Sequence, residues 1–358
     1  MKIKNIKFAL LSVIIFQFLL VSLTLAQAVD KVDEYIKAEM QRQNIPGLTL
    51  AVVKEGKIIK AKGYGLANVE LNVPATTETV YKIGSVSKPI IAMGIMSLIE
   101  EGKIGLDDKV SKYLENTPET WKDITLRNLL SHTSGIVREA PGFNPDKVQA
   151  DADVIKTAYS EPLHFVAGEK YEYCNVGYFS LAEIIRKVTG KPWGEFLAER
   201  IFSPFGMNTT RTTNFSEIIP NRANAYLFQN GKLSNAEVYL ALRPSGAFLS
   251  TVLDLAKLEA ALDSTNFLKS ETRKLMWTPF KFNNGTDSVY GLGWSIDMVK
   301  GKKRIHHGGS LNGFKSEFAR FVDDRITVII LTNLNEAVPA PIAVGVSGFY
   351  IPNLQTAN

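Results

Sequence analysis

A serine stands three residues ahead of a lysine at the entrance to a long apolar run. The two are Ser85 and Lys88 in Tyr81-Lys82-Ile83-Gly84-Ser85-Val86-Ser87-Lys88-Pro89, and the run is Ile90 to Ile99. If Ser85 opens a helix, Lys88 falls one turn along on the same face, its amine in reach of the serine hydroxyl. Pro89 agrees, because the N–H groups of a first helical turn have no intrahelical partner to lose. The run is apolar on nearly every side, which predicts a central, buried helix. Such a helix with a Ser/Lys pair at its mouth is a platform for an activated nucleophile. The competing reading of any S-x-x-K is a helix cap followed by a solvated lysine, and the tetrapeptide alone does not separate the two.

Acyl transfer by a serine also needs a proton acceptor, an oxyanion hole and groups that position the substrate. Tyr171-Glu172-Tyr173-Cys174-Asn175-Val176-Gly177-Tyr178, at a predicted helix start, offers a tyrosine. A tyrosine serves as base only if a nearby cation lowers its pKa from about 10, and Lys88 is such a cation. The alternative is a core Tyr173 and an N-capping Asn175. Arg304-Ile305-His306-His307-Gly308-Gly309-Ser310-Leu311-Asn312-Gly313-Phe314 offers a strand with glycines at 308 and 309, where backbone can approach a ligand. An N–H on that strand together with that of Ser85 would make an oxyanion hole. His306 and His307 point to opposite faces of a strand, and no third ligand is evident, so no metal is expected.

These residues need a frame. Val29, Val32, Ile36 and Met40 predict an amphipathic helix over 29–44, ended by Pro46-Gly47. Leu48–Val53 and Ile58–Tyr64 read as a hairpin across Lys54-Glu55-Gly56-Lys57, and Thr79–Lys82 as a short strand. After Gly102 come helices and loops: one begun by an N-cap at Thr125, one over Asn175–Val188 stopped at Gly190, and one over Trp193–Phe202. Residues 137–150 and 208–235 read as long loops with few core positions, a kind that often borders active sites. Thr251 to Asp254 resembles a capping box for a helix to Leu262. Val289–Met298, Phe318–Val322 and Ile326–Thr332 are late strands, and Ile342–Phe349 a last helix. Strands at both ends with helices between them imply an α+β (α/β) fold: one central antiparallel sheet built from both termini and flanked by helices, with a mainly helical insertion.

The 358 residues are 45% hydrophobic and 22% charged, enough to bury a large core. Lys2, Lys4 and Lys7 precede an apolar stretch over Phe8–Leu25 and then Ala26-Gln27-Ala28, the form of a secretory leader cut after Ala28. An uncleaved N-terminal anchor is the alternative. Removing residues 1–28 takes away three lysines and no acid, so the formal charge falls from +5 to +2. Nothing in the remainder argues for nucleic acid, and Lys300, Lys302, Lys303 and Arg304 read as a solvated turn. Cys174 is the only cysteine, so no intrachain disulfide exists.

Ser85-x-x-Lys88, Tyr173-x-Asn175 and His307-x-Gly309, in that order and at those separations, resemble the three motifs of the penicillin-recognising serine hydrolases, of β-lactamase/transpeptidase-like fold. The branch most alike is that of the class C β-lactamases, their esterase relatives and the D-Ala-D-Ala carboxypeptidases. Leu129-Leu130-Ser131-His132-Thr133-Ser134-Gly135, Pro204-Phe205-Gly206-Met207, Pro244-Ser245-Gly246 and Tyr290-Gly291-Leu292-Gly293-Trp294 are also similar to family signatures, so the likeness spans residues 29–358 almost throughout. The resemblance implies an α/β part near 29–84 and 236–358 and a helical subdomain near 103–235. It implies that Ser85 is acylated, that Lys88 holds Tyr173 in a low-pKa state, and that Tyr173 is the main base. Asn175 would bind the carbonyl side of the substrate, and the N–H groups of Ser85 and Ser310 would form the oxyanion hole beside Gly309. No cofactor is implied.

His307 occupies the place where β-lactamases usually carry a lysine. A histidine is mostly neutral at pH 7 and anchors a carboxylate less well, which favours esterase or peptidase activity over dedicated β-lactam hydrolysis. Cys174 reads as a small buried filler rather than a nucleophile. His132 and His164 read as loop and surface residues. The expectation is an exported, secreted or periplasmic serine hydrolase acting on small esters, peptides or β-lactams, with no nucleic acid, no obligate protein partner and no stable membrane insertion after cleavage. The alternatives are a true class C-like β-lactamase and a non-catalytic binding protein of the same fold.

Overall fold

The computed structural model describes residues 31–212, 217–237, 244–246, 248–263 and 267–354; the expected leader lies outside them. Helix α1 (31–43) leads into β1 (Gly47–Lys54) and β2 (Lys57–Asn68), joined by a two-residue turn in which Glu55 and Gly56 both have positive φ. That twist matches the strands, which is why the turn is tight. The edge strand β3 (Val73–Pro74) and β4 (Tyr81–Lys82) follow, then a 3-10 turn over Gly84–Val86 and helix α2 (Ser87–Glu100). Ser85 therefore sits in the turn that feeds the helix rather than in its first α-helical position. Every residue of α2 from Ser87 to Leu98 is buried, as the all-round apolar pattern predicts.

The middle of the chain carries α3 (Leu126–Leu130), α4 (Asp151–Thr157), α5 (Asn175–Thr189) and α6 (Trp193–Leu197), the last running into a π-helical turn over Ala198–Phe202. Thr125 caps α3 in a reciprocal box with Asn128, and Gly190 ends α5 in the left-handed region. Residues 208–235 are not the coreless loop expected from sequence. They hold β5 (Arg211–Thr212) and the hairpin of β6 (Tyr226–Gln229) and β7 (Lys232–Asn235), with Ile219, Ala223, Ala225 and Tyr226 buried.

The C-terminal third supplies β8 (Phe248–Ser250), α7 (Val252–Asp263), α8 (Ser270–Met276), β9 (Ser295–Val299), β10 (Lys302–Leu311), β11 (Phe314–Phe321), β12 (Ile326–Thr332) and α9 (Pro339–Ser347). Thr251 caps α7, but the box is not closed: the Asp254 carboxylate accepts the N–H groups of Thr209 and Thr210 instead. The expected strand at 289–298 begins only at Ser295. The basic cluster is not a solvated turn either, since Arg304 pairs with Asp297 and Lys302 with Asp324 along β10.

The main sheet runs β3-β2-β1-β12-β11-β10-β9, so the first strands pair with the last, as expected for a sheet closed from both ends. Its two faces follow the period of two. Leu48, Leu50, Val52, Val328 and Ile330 pack with α1 and α9, while Ala51, Val53, Phe318, Ile329 and Leu331 face the core that holds α2 and α5. One buried side chain ties the first strands to the end of β12. Asn333 accepts the N–H of Gly47 at 2.8 Å and donates to the carbonyls of Leu66 and Ala67. Substituting Asn333→Ala orphans these buried groups and should cost about 3 kcal/mol. Urea unfolding at unchanged slope measures it, and a loss below about 0.5 kcal/mol would contradict this account.

Candidate active site

The turn over Gly84–Val86 and the first turn of α2 set the centre. Lys88 has no exposed surface, and its Nζ lies 3.1 Å from Ser85 Oγ and 2.8 Å from the carbonyl oxygen of Ser245. The same nitrogen stands over two aromatic rings, 4.7 Å from the centroid of Tyr173 and 5.4 Å from that of Tyr178. Tyr173, in the stretch before α5, brings its phenol beside Ser85 and its ring against Lys88. Ser85, Lys88 and Tyr173 are thus together, and Ser245 joins them as a main-chain acceptor that the Pro-Ser-Gly signature only hinted at.

Strand β10 closes the other side. A Cβ placed on Gly309 would lie 2.0 Å from the Ile83 carbonyl oxygen and 2.1 Å from Ser316 Oγ, which itself donates to that carbonyl. No side chain fits between the strand and the turn that carries Ser85, so the position needs glycine. A Cβ on Gly84 would stand 2.7 Å from the Ser310 nitrogen. The main chains of Gly84-Ser85 and Gly309-Ser310 therefore meet, the arrangement that an oxyanion hole requires. The Ser310 hydroxyl accepts from Lys315 at 2.5 Å.

His307 lies on the same face of β10, its ring 6.2 Å from that of Tyr173 and nearly fully buried. Its tautomer follows from its partners. The Gly308 carbonyl can only accept, so Nδ1, 2.7 Å away, carries the proton. Nε2 then accepts from the Tyr290 hydroxyl at 2.8 Å. Both nitrogens are used inside the protein, and burial, reinforced by the Lys88 charge, pushes the imidazole down to about 3. His306 turns the other way, to Glu317 and Asp297.

Asn175 opens α5 on the opposite wall, where its amide nitrogen donates to Glu139 at 2.5 Å and its N–H to the Arg138 carbonyl at 2.8 Å. It does not cap the helix. Cys174 does, through Sγ to the Gly177 N–H, while burial pushes its thiol up to about 12. A thiol held protonated in this way is a filler and a cap, not a nucleophile. Arg138 and Glu139 are exposed, the guanidinium 5.3 Å from the centre of the Tyr173 ring. Sequence reasoning missed this pair, since a charged dipeptide in a loop carries no spacing signal.

Two expectations change. Burial pushes the Tyr173 phenol up, against the direction expected of a base beside Lys88. His132 lies in a loop, as expected, but not at the surface. It is fully buried with its ring against Tyr173, Tyr178 and Tyr290. His164 is on the surface, paired with Glu172.

The three segments converge on one cleft, and that convergence meets a sequence match over nearly the whole chain: the profile of the beta-lactamase family covers residues 32–343. The chain belongs to the beta-lactamase family. It is a serine hydrolase of the acyl-transfer type. It is 30% identical over 310 residues to penicillin-binding protein 4* of Bacillus subtilis (strain 168), covering 80% of this chain and 68% of that one. The chain spans about two thirds of the length of the curated relatives it matches. Among solved structures it is similar to the octameric penicillin-binding protein homologue from Pyrococcus abyssi, with TM-score 0.78 and 30% identity over 88% of this chain and 75% of that one. The D-amino acid amidase from Ochrobactrum anthropi SV3 shares the fold, with TM-score 0.76 and 21% identity over 91% and 96%. The fold is thus the β-lactamase/transpeptidase-like one expected.

The buried imidazole gives a pH signature. Unfolded, a histidine binds a proton below about 6.5; folded, His307 does so only near 3. Between those values the unfolded chain holds the extra proton, so this contribution is complete above about pH 6.5 and is lost as pH falls toward 3. Asp151, pushed up to about 7 by burial, works in the opposite sense over much of that window, so the variant difference isolates the histidine. His307→Gln should make the acid limb of stability against pH shallower by about one proton. An unchanged limb would show that His307 titrates normally.

Proposed function

We propose that the chain is an exported hydrolase that forms an acyl-enzyme at Ser85 with ester or amide substrates, D-amino-acid derivatives among them. The observation that carries this reading is the enclosed Lys88 amine 3.1 Å from the Ser85 hydroxyl and 4.7 Å from the centre of the Tyr173 ring. Export rests on the leader-like residues 1–28; among the described residues no helix is long and apolar enough to cross a membrane.

The raised phenol divides the labour between Tyr173 and Lys88. In the proton-poor form of the pair Lys88 is an amine: it donates one hydrogen to the Ser245 carbonyl and turns its lone pair to the serine O–H. Ser85 Oγ attacks the substrate carbonyl as its proton passes to Lys88, and the N–H groups of Ser85 and Ser310 hold the developing oxyanion. Tyr173 gives its proton to the leaving group as the C–N or C–O bond breaks, and regains one from Lys88. Water then repeats the cycle and releases the acid. Gly309 keeps the strand close, and Asn175 with Glu139 forms the acyl-side wall.

A neutral, internally bonded His307 is a poor carboxylate anchor, so esters and amides are favoured over β-lactams. Glu139, an exposed carboxylate fixed by Asn175, suits an acyl group bearing an ammonium. The shared fold with a D-amino acid amidase agrees with that class.

Incubation with a fluorophosphonate and with p-nitrophenyl acetate should give one adduct by intact mass, located at Ser85, and ester turnover lost in Ser85→Ala. Folded protein that reacts with neither would sink the proposal. The proton assignment has its own test. Tyr173→Phe should lower kcat/KM, which reports acylation, on an anilide or alkyl ester by about 100-fold or more, yet lower it far less on the p-nitrophenyl ester, whose leaving group needs no proton. Equal losses on both would make Tyr173 the base instead.

A further inference from the structure

His132 makes contacts that its place in the chain does not suggest. It sits in the exit from α3 with φ 59, a left-handed backbone that histidine tolerates better than most residues. Its carbonyl accepts the N–H of Glu172 at 3.0 Å, and its Nδ1 accepts the N–H of Cys174, also at 3.0 Å. One residue therefore grips both amides that flank Tyr173. The His132 ring also lies against the Tyr173 ring, with centroids 4.2 Å apart. Because Nδ1 accepts a backbone N–H, it carries no proton, and the ring is the neutral Nε2–H tautomer.

We propose that His132 is the positioning residue for Tyr173: a two-point clamp on the main chain, with the ring as a backing plate, that sets where the phenol oxygen stands relative to Ser85 and Lys88. The left-handed backbone at 132 is what turns carbonyl and ring toward the same segment. Tyr173 lies in an extended stretch before α5, with no helix or strand of its own to hold it. The chain on the other side of the clamp is anchored in turn, since the Leu130 carbonyl accepts the Tyr178 hydroxyl at 3.0 Å and the N–H of Gly293. A small rotation of residue 173 would carry the phenol oxygen out of reach of the serine, and misplacement by about 1 Å costs on the order of 100-fold in rate. This inference rests on Tyr173 acting on the Ser85 proton or leaving group.

His132→Gly and His132→Asn separate the clamp from mere packing. Both residues accept the left-handed backbone, but only asparagine offers an oxygen to the Cys174 N–H. His132→Gly should lower kcat on an anilide by about 100-fold with KM within about threefold, and His132→Asn should recover at least tenfold of that loss. Equal kcat in the two variants, or a loss carried mainly by KM, would overturn the proposal. A readout free of activity covers the case of a glycine variant that does not fold: 15N shifts of the wild-type imidazole should report the Nε2–H tautomer at neutral pH, and a proton on Nδ1 would overturn the clamp. Turnover that survives in Ser85→Ala would instead strike the acyl-enzyme reading and leave the tautomer result standing.

Discussion

The structure depends on one lysine being taken out of water. Burying an amine costs several kcal/mol unless dipoles replace its hydration. Around Lys88 they come from the Ser85 hydroxyl, the Ser245 carbonyl and the faces of Tyr173 and Tyr178. Those groups belong to segments up to 160 residues apart. The sheet that joins both ends of the chain, the glycine that lets β10 touch the serine turn, and the helices around α2 each put one of them in place. A fold that failed to bring the segments together would leave a desolvated amine among apolar side chains, so site assembly and stability are tied to the same contacts.

The same burial governs the groups around the lysine. His132 and His307 are both kept neutral, first by desolvation and then by the Lys88 charge. Nδ1 of His132 is spent on Cys174, and both nitrogens of His307 on Gly308 and Tyr290. The third motif consequently contributes shape and a fixed dipole rather than a cation. The exposed charges at the mouth come from the Arg138-Glu139 loop instead.

Much of this was legible in the sequence because spacing encodes it. The i, i+3 relation of Ser85 and Lys88, the apolar run of α2 and the alternation in β1 and β12 are local patterns with local causes. The order of the three motifs supplied the rest of the site. Long-range partnership was not legible. His132 follows a leucine pair in a polar loop, and only the return of residues 172–174 against it encloses the ring. The burial of Tyr173 was illegible for a related reason: the cation beside it could be inferred, but the enclosure that pushes its phenol up could not. The hairpin of β6 and β7 is a different case. Asn230-Gly231, both at positive φ, is a strong local turn signal, outweighed in a reading that took the length of 208–235 as a sign of loop.

A phenol held protonated beside a buried amine changes what the pair can do. Were both groups to ionise at rest, the site would hold two desolvated charges before any substrate arrived. With the charge kept off Tyr173 until the serine proton moves, the cation on Lys88 and the oxyanion on the substrate appear together, on opposite sides of Ser85 Oγ. The field between them is largest in the transition state. The aromatic enclosure, costly as a place to store charge, is for that reason suited to a charge that is only transient.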